Sequence, residues 1–167
     1  MAKRRVRSAQ NASRMCIVCG VDNPVGLGAR FYELDGDELL GLFRPRIEHQ
    51  SYPGRMHGGV VSALLDETIG RAINVTQPGT WGVTVEFTVR FRKPVPTDGE
   101  VKAIGRITRD SGRVFEGTGE ILLEDGTVAA EGRGRYVKMA LADISKEGFA
   151  ENEWFADDLA LSEEVDL

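Results

Sequence analysis

The chain has 167 residues, 41% apolar and 28% charged, with a formal net charge of −5. This is the length of one domain with an ordinary core, and the acidic balance argues against a general nucleic-acid binder. No apolar run reaches the roughly 18 residues that a membrane-spanning helix needs, so no membrane contact is expected and a cytoplasmic protein is the default.

The first fourteen residues include Lys3, Arg4, Arg5 and Arg7 and no acid. No apolar stretch follows them, so they do not read as a secretory signal. They read as a disordered basic leader, residues 1–14, ahead of a folded body at 15–140. From Asp143 onward Lys146 is the only base, which makes residues 141–167 an acidic tail. Cys16 and Cys19 have C-x-x-C spacing, but a second such pair is absent and the histidines are His49 and His57 alone. A structural zinc site needs four ligands, so no metal is expected and the two cysteines read as reduced structural thiols.

Residues 20–28 are rich in Gly, Pro, Asn and Asp and read as loop. Strands are expected at 29–34 and 38–44, joined by the turn Asp35-Gly36-Asp37. A loop follows, with Tyr52-Pro53-Gly54 as a turn. Residues 58–73 then show helical period, with Val61, Leu64, Leu65, Thr68 and Ala72 on one stripe. The segment is apolar nearly all round, so the helix should be largely buried.

From Val83 to Arg92, apolar and polar residues alternate with strand period. Further strands are expected at 100–109, 113–124 and 127–139, with hairpin turns at Asp110-Ser111-Gly112 and Asp125-Gly126. Gly117, Gly119, Gly132 and Gly134 fall inside strands, which suggests curvature or the close approach of a helix. A short amphipathic helix is expected near 149–161. The element order gives an α+β class: a curved antiparallel sheet wrapped around one long buried helix.

His57-Gly58-Gly59 opens the helix, and Asp66-Glu67 lies within it. A helix amino terminus offers unpaired N–H groups and partial positive charge, suited to a developing oxyanion. An ionised carboxylate on an apolar helix must reach solvent or line a cleft. In a cleft it can activate water or attack a carbonyl. A structural reading stands beside this one: glycines for tight packing, His57 as a cap, and the two acids at a solvent-facing edge.

The run Met56-His57-Gly58-Gly59 through Asp66, with the acid nine positions after the histidine, resembles the signature of hot-dog acyl-CoA thioesterases of the phenylacetate-degradation type. Gly82-Val83-Thr84-Val85 resembles the start of the strand that follows the helix in that family. Cys16-x-x-Cys19-Gly20 with Asn23-Pro24-x-Gly26-Leu27 resembles a leader found in some members. The resemblance covers residues 16–139 and implies the hot-dog fold.

It also implies roles for particular residues. Asp66 would be general base or nucleophile, and the Gly58 N–H would polarise the thioester carbonyl. His57 would shape the helix start and contact the substrate side of the site, Gly59 and Val83 would be substrate-binding residues, and Thr84 would orient water or carboxylate. The substrate would be an acyl-CoA, with coenzyme A part of the substrate and no separate cofactor. Sites would lie at the interface of a homodimer or of a dimer of dimers, with Asp66 and Thr84 meeting across subunits.

The family often places Asn or Gln six residues before the histidine. Ser51 stands there with Gln50 beside it, so both are candidate substrate-binding residues. Glu67 is a further candidate, about 100° around the helix from Asp66. Val61, Leu65 and Phe87 are expected to line an acyl pocket between helix and sheet. Arg90, Arg92 and Lys93 are expected either near the coenzyme A phosphates or on a solvated strand face. A hot-dog hydratase or dehydratase and a non-catalytic acyl-CoA binding module are the alternatives. The acyl group itself is not legible.

Overall fold

A computed structural model describes residues 3–145, 148–156 and 163–167. In chain order the strands are β1 (Lys3–Ala9), β2 (Ala12–Ser13), β3 (Arg30–Leu34), β4 (Glu38–Phe43), β5 (Trp81–Phe91), β6 (Val101–Asp110), β7 (Val114–Leu122), β8 (Val128–Met139), β9 (Trp154–Phe155) and β10 (Glu164–Asp166). The long helix is α1 (Gly58–Arg71). The one-turn helices are α2 (Ile73–Thr76), α3 (Leu141–Ile144) and α4 (Phe149–Asn152). Eight strands form one sheet in the order β10-β1-β3-β4-β6-β7-β8-β5, and each neighbouring pair is antiparallel. The hot-dog architecture expected from the sequence is the observed one.

The turns form where their residue chemistry places them. The β3–β4 hairpin closes through Gly36 and Asp37, with φ of 75° and 59°, a left-handed pair that matches the twist of the flanking strands. Helix α1 crosses the concave face and buries Val61, Leu64, Leu65, Thr68 and Ile69 against it. The approach is close enough to exclude side chains from the strands beneath. A Cβ at Gly105 would stand 2.7 Å from the Thr68 carbonyl oxygen, and one at Gly117 2.7 Å from Ile69 Cγ2. The in-strand glycines thus mark where the helix rests on bare backbone.

The ends differ from expectation. Residues 3–9 are not part of a disordered leader; they form β1, paired with β3 on one side and with β10 on the other. The physical reason is charge complementarity. Arg4 contacts Asp35 and Glu38, Arg7 contacts Asp37 at 3.0 Å, and Lys3 contacts Glu164 at 3.2 Å. Basic leader and acidic tail therefore pair with the body and with each other. Such exposed pairs are individually weak, but here they accompany the backbone bonds of a sheet. The expected tail helix is a single turn, α4; residues 157–161 of that expectation lie outside the described residues.

Gly105→Val should cost about 3 kcal/mol, because the added carbons must displace helix backbone rather than a flexible side chain. Gly112→Ala, in a turn at φ 84° with open space around it, should cost only about 1 kcal/mol. Urea denaturation of the two variants checks the contrast.

Candidate active site

Two groups of residues are set at different places along α1. At its tip, His57 is the cap: its Nδ1 accepts from the Gly59 N–H at 2.9 Å. Its carbonyl accepts from Val60 and Val61 at 3.0 and 3.1 Å. The Gly58 N–H is left, among the described residues, as the helix amide without an acceptor. A Cβ at Gly58 would stand 3.3 Å from the Phe91 ring, so glycine keeps this amide approachable. The loop before the tip is braced by the Gln50–Met56 bridge and by the Ser51 N–H donating to the Arg55 carbonyl at 2.8 Å. Gln50 is half-buried and Ser51 exposed.

Eight residues further on, about 12 Å along the axis, lies Asp66. Thr84 Oγ1 donates to its two carboxylate oxygens at 3.1 and 3.2 Å. The Tyr136 hydroxyl is 3.1 Å from Asp66 Oδ1 and 3.2 Å from the Asp66 carbonyl. Among the described residues no Lys or Arg pairs with this carboxylate. Burial raises the Asp66 pKa, the hydrogen bonds from Thr84 and Tyr136 lower it, and the balance is upward. Burial, followed by the nearby Asp66 charge, raises Tyr136, which keeps it a donor at neutral pH.

Tyr136 was not anticipated from the sequence. It reaches Asp66 because Gly134, two residues earlier on the same strand face, and Gly70, on the helix, leave its ring room; a Cβ at Gly70 would stand 3.0 Å from it. Gly132, Gly134 and Tyr136 recur at strand period, two glycines and then a polar-tipped ring on the helix-facing side. That was the available signal.

Glu67 points elsewhere, to Arg71 Nε at 2.7 Å. Arg71 is buried and fully occupied: it donates to the Asn11 carbonyl at 2.8 Å and to Cys19 Sγ at 2.9 Å, between the rings of Phe31 and Trp154. Asp66, Glu67, Thr84 and Tyr136 line one cavity of about 300 Å³, whose walls include Trp81, Phe149 and Trp154. This is at the lower end of the size range for small-molecule sites.

Several placements correct the sequence reading. Thr84 and Asp66 meet within one chain, not across subunits, because β5 runs beside the second half of α1. Val61 and Leu65 are 3% and 0% exposed in a filled core, and the cavity between helix and sheet is lined instead by the second half of α1 with Trp81, Thr84 and Tyr136. Val83 is exposed on β5 and outside the cavity lining. Arg92 is held by Glu131 at 2.8 Å, as on an ordinary strand face.

The folded chain holds the Asp66 proton more tightly than the unfolded chain, so stability falls as pH rises from the ordinary carboxylate value towards the raised one. Asp66→Asn keeps acceptor capacity but carries no charge. It should melt higher than the parent at about pH 7, and the advantage should fade as pH falls toward 3.8. Calorimetry across that range measures it; a pH-independent difference would contradict the burial penalty.

Residues 53–130 match the thioesterase superfamily model. An uncharacterised protein of Schizosaccharomyces pombe is 27% identical over 97 residues, which is 58% of this chain and 55% of that protein. The crystal structure of a thioesterase superfamily protein is similar at TM-score 0.68 and 28% identity, over 74% of this chain and 63% of that one. The chain thus spans about half to two thirds of these relatives. The PaaI protein of Escherichia coli, from its phenylacetic acid degradation operon, has the same fold at TM-score 0.62 and 18% identity, over 68% of this chain and 81% of that one. A thioesterase of Haemophilus influenzae does so at 0.65 and 18%, over 77% and 89%. Over residues 53–130 the chain is thus similar to the thioesterase superfamily, and its fold is the hot-dog fold of these solved structures.

Proposed function

We propose that this protein hydrolyses acyl-coenzyme A thioesters, with Asp66 as the reacting carboxylate. The observation that carries the reading is the Asp66 side chain itself: half-buried at a cavity wall, without a cation among the described residues, and aimed by two hydroxyls. A carboxylate with only a structural task would ordinarily be paired with a base or turned to water. Thr84 and Tyr136 fix its orientation while leaving it acceptor capacity. It can then take a proton from water or add directly to the thioester carbonyl. The coenzyme A thiolate is a good leaving group, so one carboxylate and one oxyanion donor are sufficient machinery.

The donor is the Gly58 N–H, and it must come from a second copy of the chain. Within one protomer the helix tip and Asp66 are about 12 Å apart along a rigid rod. A reacting carbonyl needs both within about 3 Å. β5 supplies a route to dimerisation. It is the last strand of its sheet, eleven residues long, and exposes Val85 (58%) and Phe91 (53%). An apolar edge of this length invites pairing with another copy. Among the described residues no helix is long and apolar enough to cross a membrane.

A screen over short, long and aromatic acyl-CoA thioesters tests the activity. Asp66→Asn should lower kcat by about 10²- to 10⁴-fold with acyl-CoA still bound; undiminished turnover in that variant would refute the assignment. Binding without turnover across the panel for the parent protein would instead mark a binding module. Val85→Arg should convert a dimer to monomers in sedimentation and reduce hydrolysis in parallel. A fully active monomer would remove the shared site.

A further inference from the structure

The cavity has a second cluster on the wall opposite Tyr136. Cys16 and Cys19 are the two ends of a tight turn. The Gly20 N–H closes it on the Cys16 carbonyl at 2.9 Å, and any side chain at Gly20 would collide with that carbonyl. The turn aims backbone donors at sulfur: Val18 and Cys19 N–H lie 3.3 and 3.5 Å from Cys16 Sγ, and Ser13 N–H lies 3.4 Å from Cys19 Sγ. Such donors favour sulfur in its anionic form, the form that ligates metals. Glu67 completes the group from α1. Both Sγ atoms and one Glu67 carboxylate oxygen lie within 4.8 Å of one another.

Charge and rigidity point the same way. When a metal displaces both thiol protons, two thiolates and a carboxylate against the single Arg71 guanidinium leave two negative charges in a partly dry wall, which a divalent cation neutralises. Arg71 holds Cys19 Sγ and Glu67 from behind, as an outer-shell residue orients ligands. Two sulfurs and a carboxylate oxygen form a donor set that suits zinc.

We propose that Cys16, Cys19 and Glu67 bind one thiophilic divalent ion, zinc before others, joining the loop before β3 to α1. Cys16, Cys19 and Glu67 all line the cavity that holds Asp66, so water or a group entering the cavity supplies the remaining ligand. The ion fastens one wall of the cavity, and the proposal does not depend on thioester hydrolysis.

The test uses the untagged, reduced full chain, stripped with a chelator and titrated with cobalt(II) alone, then with zinc as competitor. The expected result is one equivalent per chain, with a thiolate-to-cobalt charge-transfer band and the visible bands of tetrahedral cobalt, both abolished by zinc. Cys16→Ser should remove the charge-transfer band or weaken binding at least tenfold. Glu67→Gln, which preserves shape and the contact with Arg71, should weaken binding at least tenfold while the sulfur band persists. Asp66→Asn should leave the titration unchanged. Circular dichroism of each metal-free variant establishes that it is folded. Absence of cobalt absorption at micromolar protein, or a spectrum unaltered by Cys16→Ser or an affinity unaltered by Glu67→Gln, overturns the site. So does oxidation of the pair to a disulfide by oxidised glutathione in equimolar zinc, because metal-bound thiolates would be protected.

Discussion

Helix α1 rests on backbone. Where Thr68 meets β6, the strand has Gly105; where Ile69 meets β7, the strand has Gly117 and Gly119. Close-packed interiors tolerate little displacement, so these contacts fix the rotation and height of the helix over the sheet. The rest of the molecule inherits that placement. With the apolar stripe of α1 committed to the sheet, Asp66 and Glu67 are turned to the two flanks of one cavity. A helix standing one side chain further from the sheet would put Asp66 out of reach of both Thr84 and Tyr136.

The same placement accounts for the electrostatics of the site. Asp66 loses hydration by facing a wall of Trp81, Tyr136 and Trp154, and recovers only part of it through two hydroxyls. An uncompensated carboxylate of this kind lowers stability at neutral pH, a cost that a purely structural residue would have no reason to carry. Glu67, one residue along, is paired with Arg71 at 2.7 Å. The difference between adjacent acids is the 100° step of the helix. Asp66 faces β5 and β8, while Glu67 faces the loop of Cys16 and Cys19.

Charge at the ends plays a quieter part. The basic strand β1 lies between β3 and β10, and its Arg and Lys residues meet acids of the β3–β4 turn, of β4 and of β10. Trp154, near the end of the chain, stacks on Arg71 and closes the cavity beside Trp81. Residues far apart in sequence thus complete a wall that the central fold alone leaves open.

The sequence by itself determined the element order of the body, the buried helix and the hairpin turns, and it singled out His57, Gly58 and Asp66 as candidates. These depend on local periodicity, on turn chemistry and on a spacing along one rod, all of which are written in consecutive residues. The close approach at Gly117 and Gly119 was also legible, because glycine inside a strand has few other uses. Only the tertiary structure decided that Tyr136 clamps Asp66, that Thr84 does so within one chain, and that Glu67 joins Cys16 and Cys19 rather than Asp66. It also decided that the basic leader is a strand. Each of these is a meeting of residues separated by tens of positions. Such meetings are set by how closely the helix packs on the sheet and by which charges find partners, and neither quantity has a signature in any short stretch of sequence.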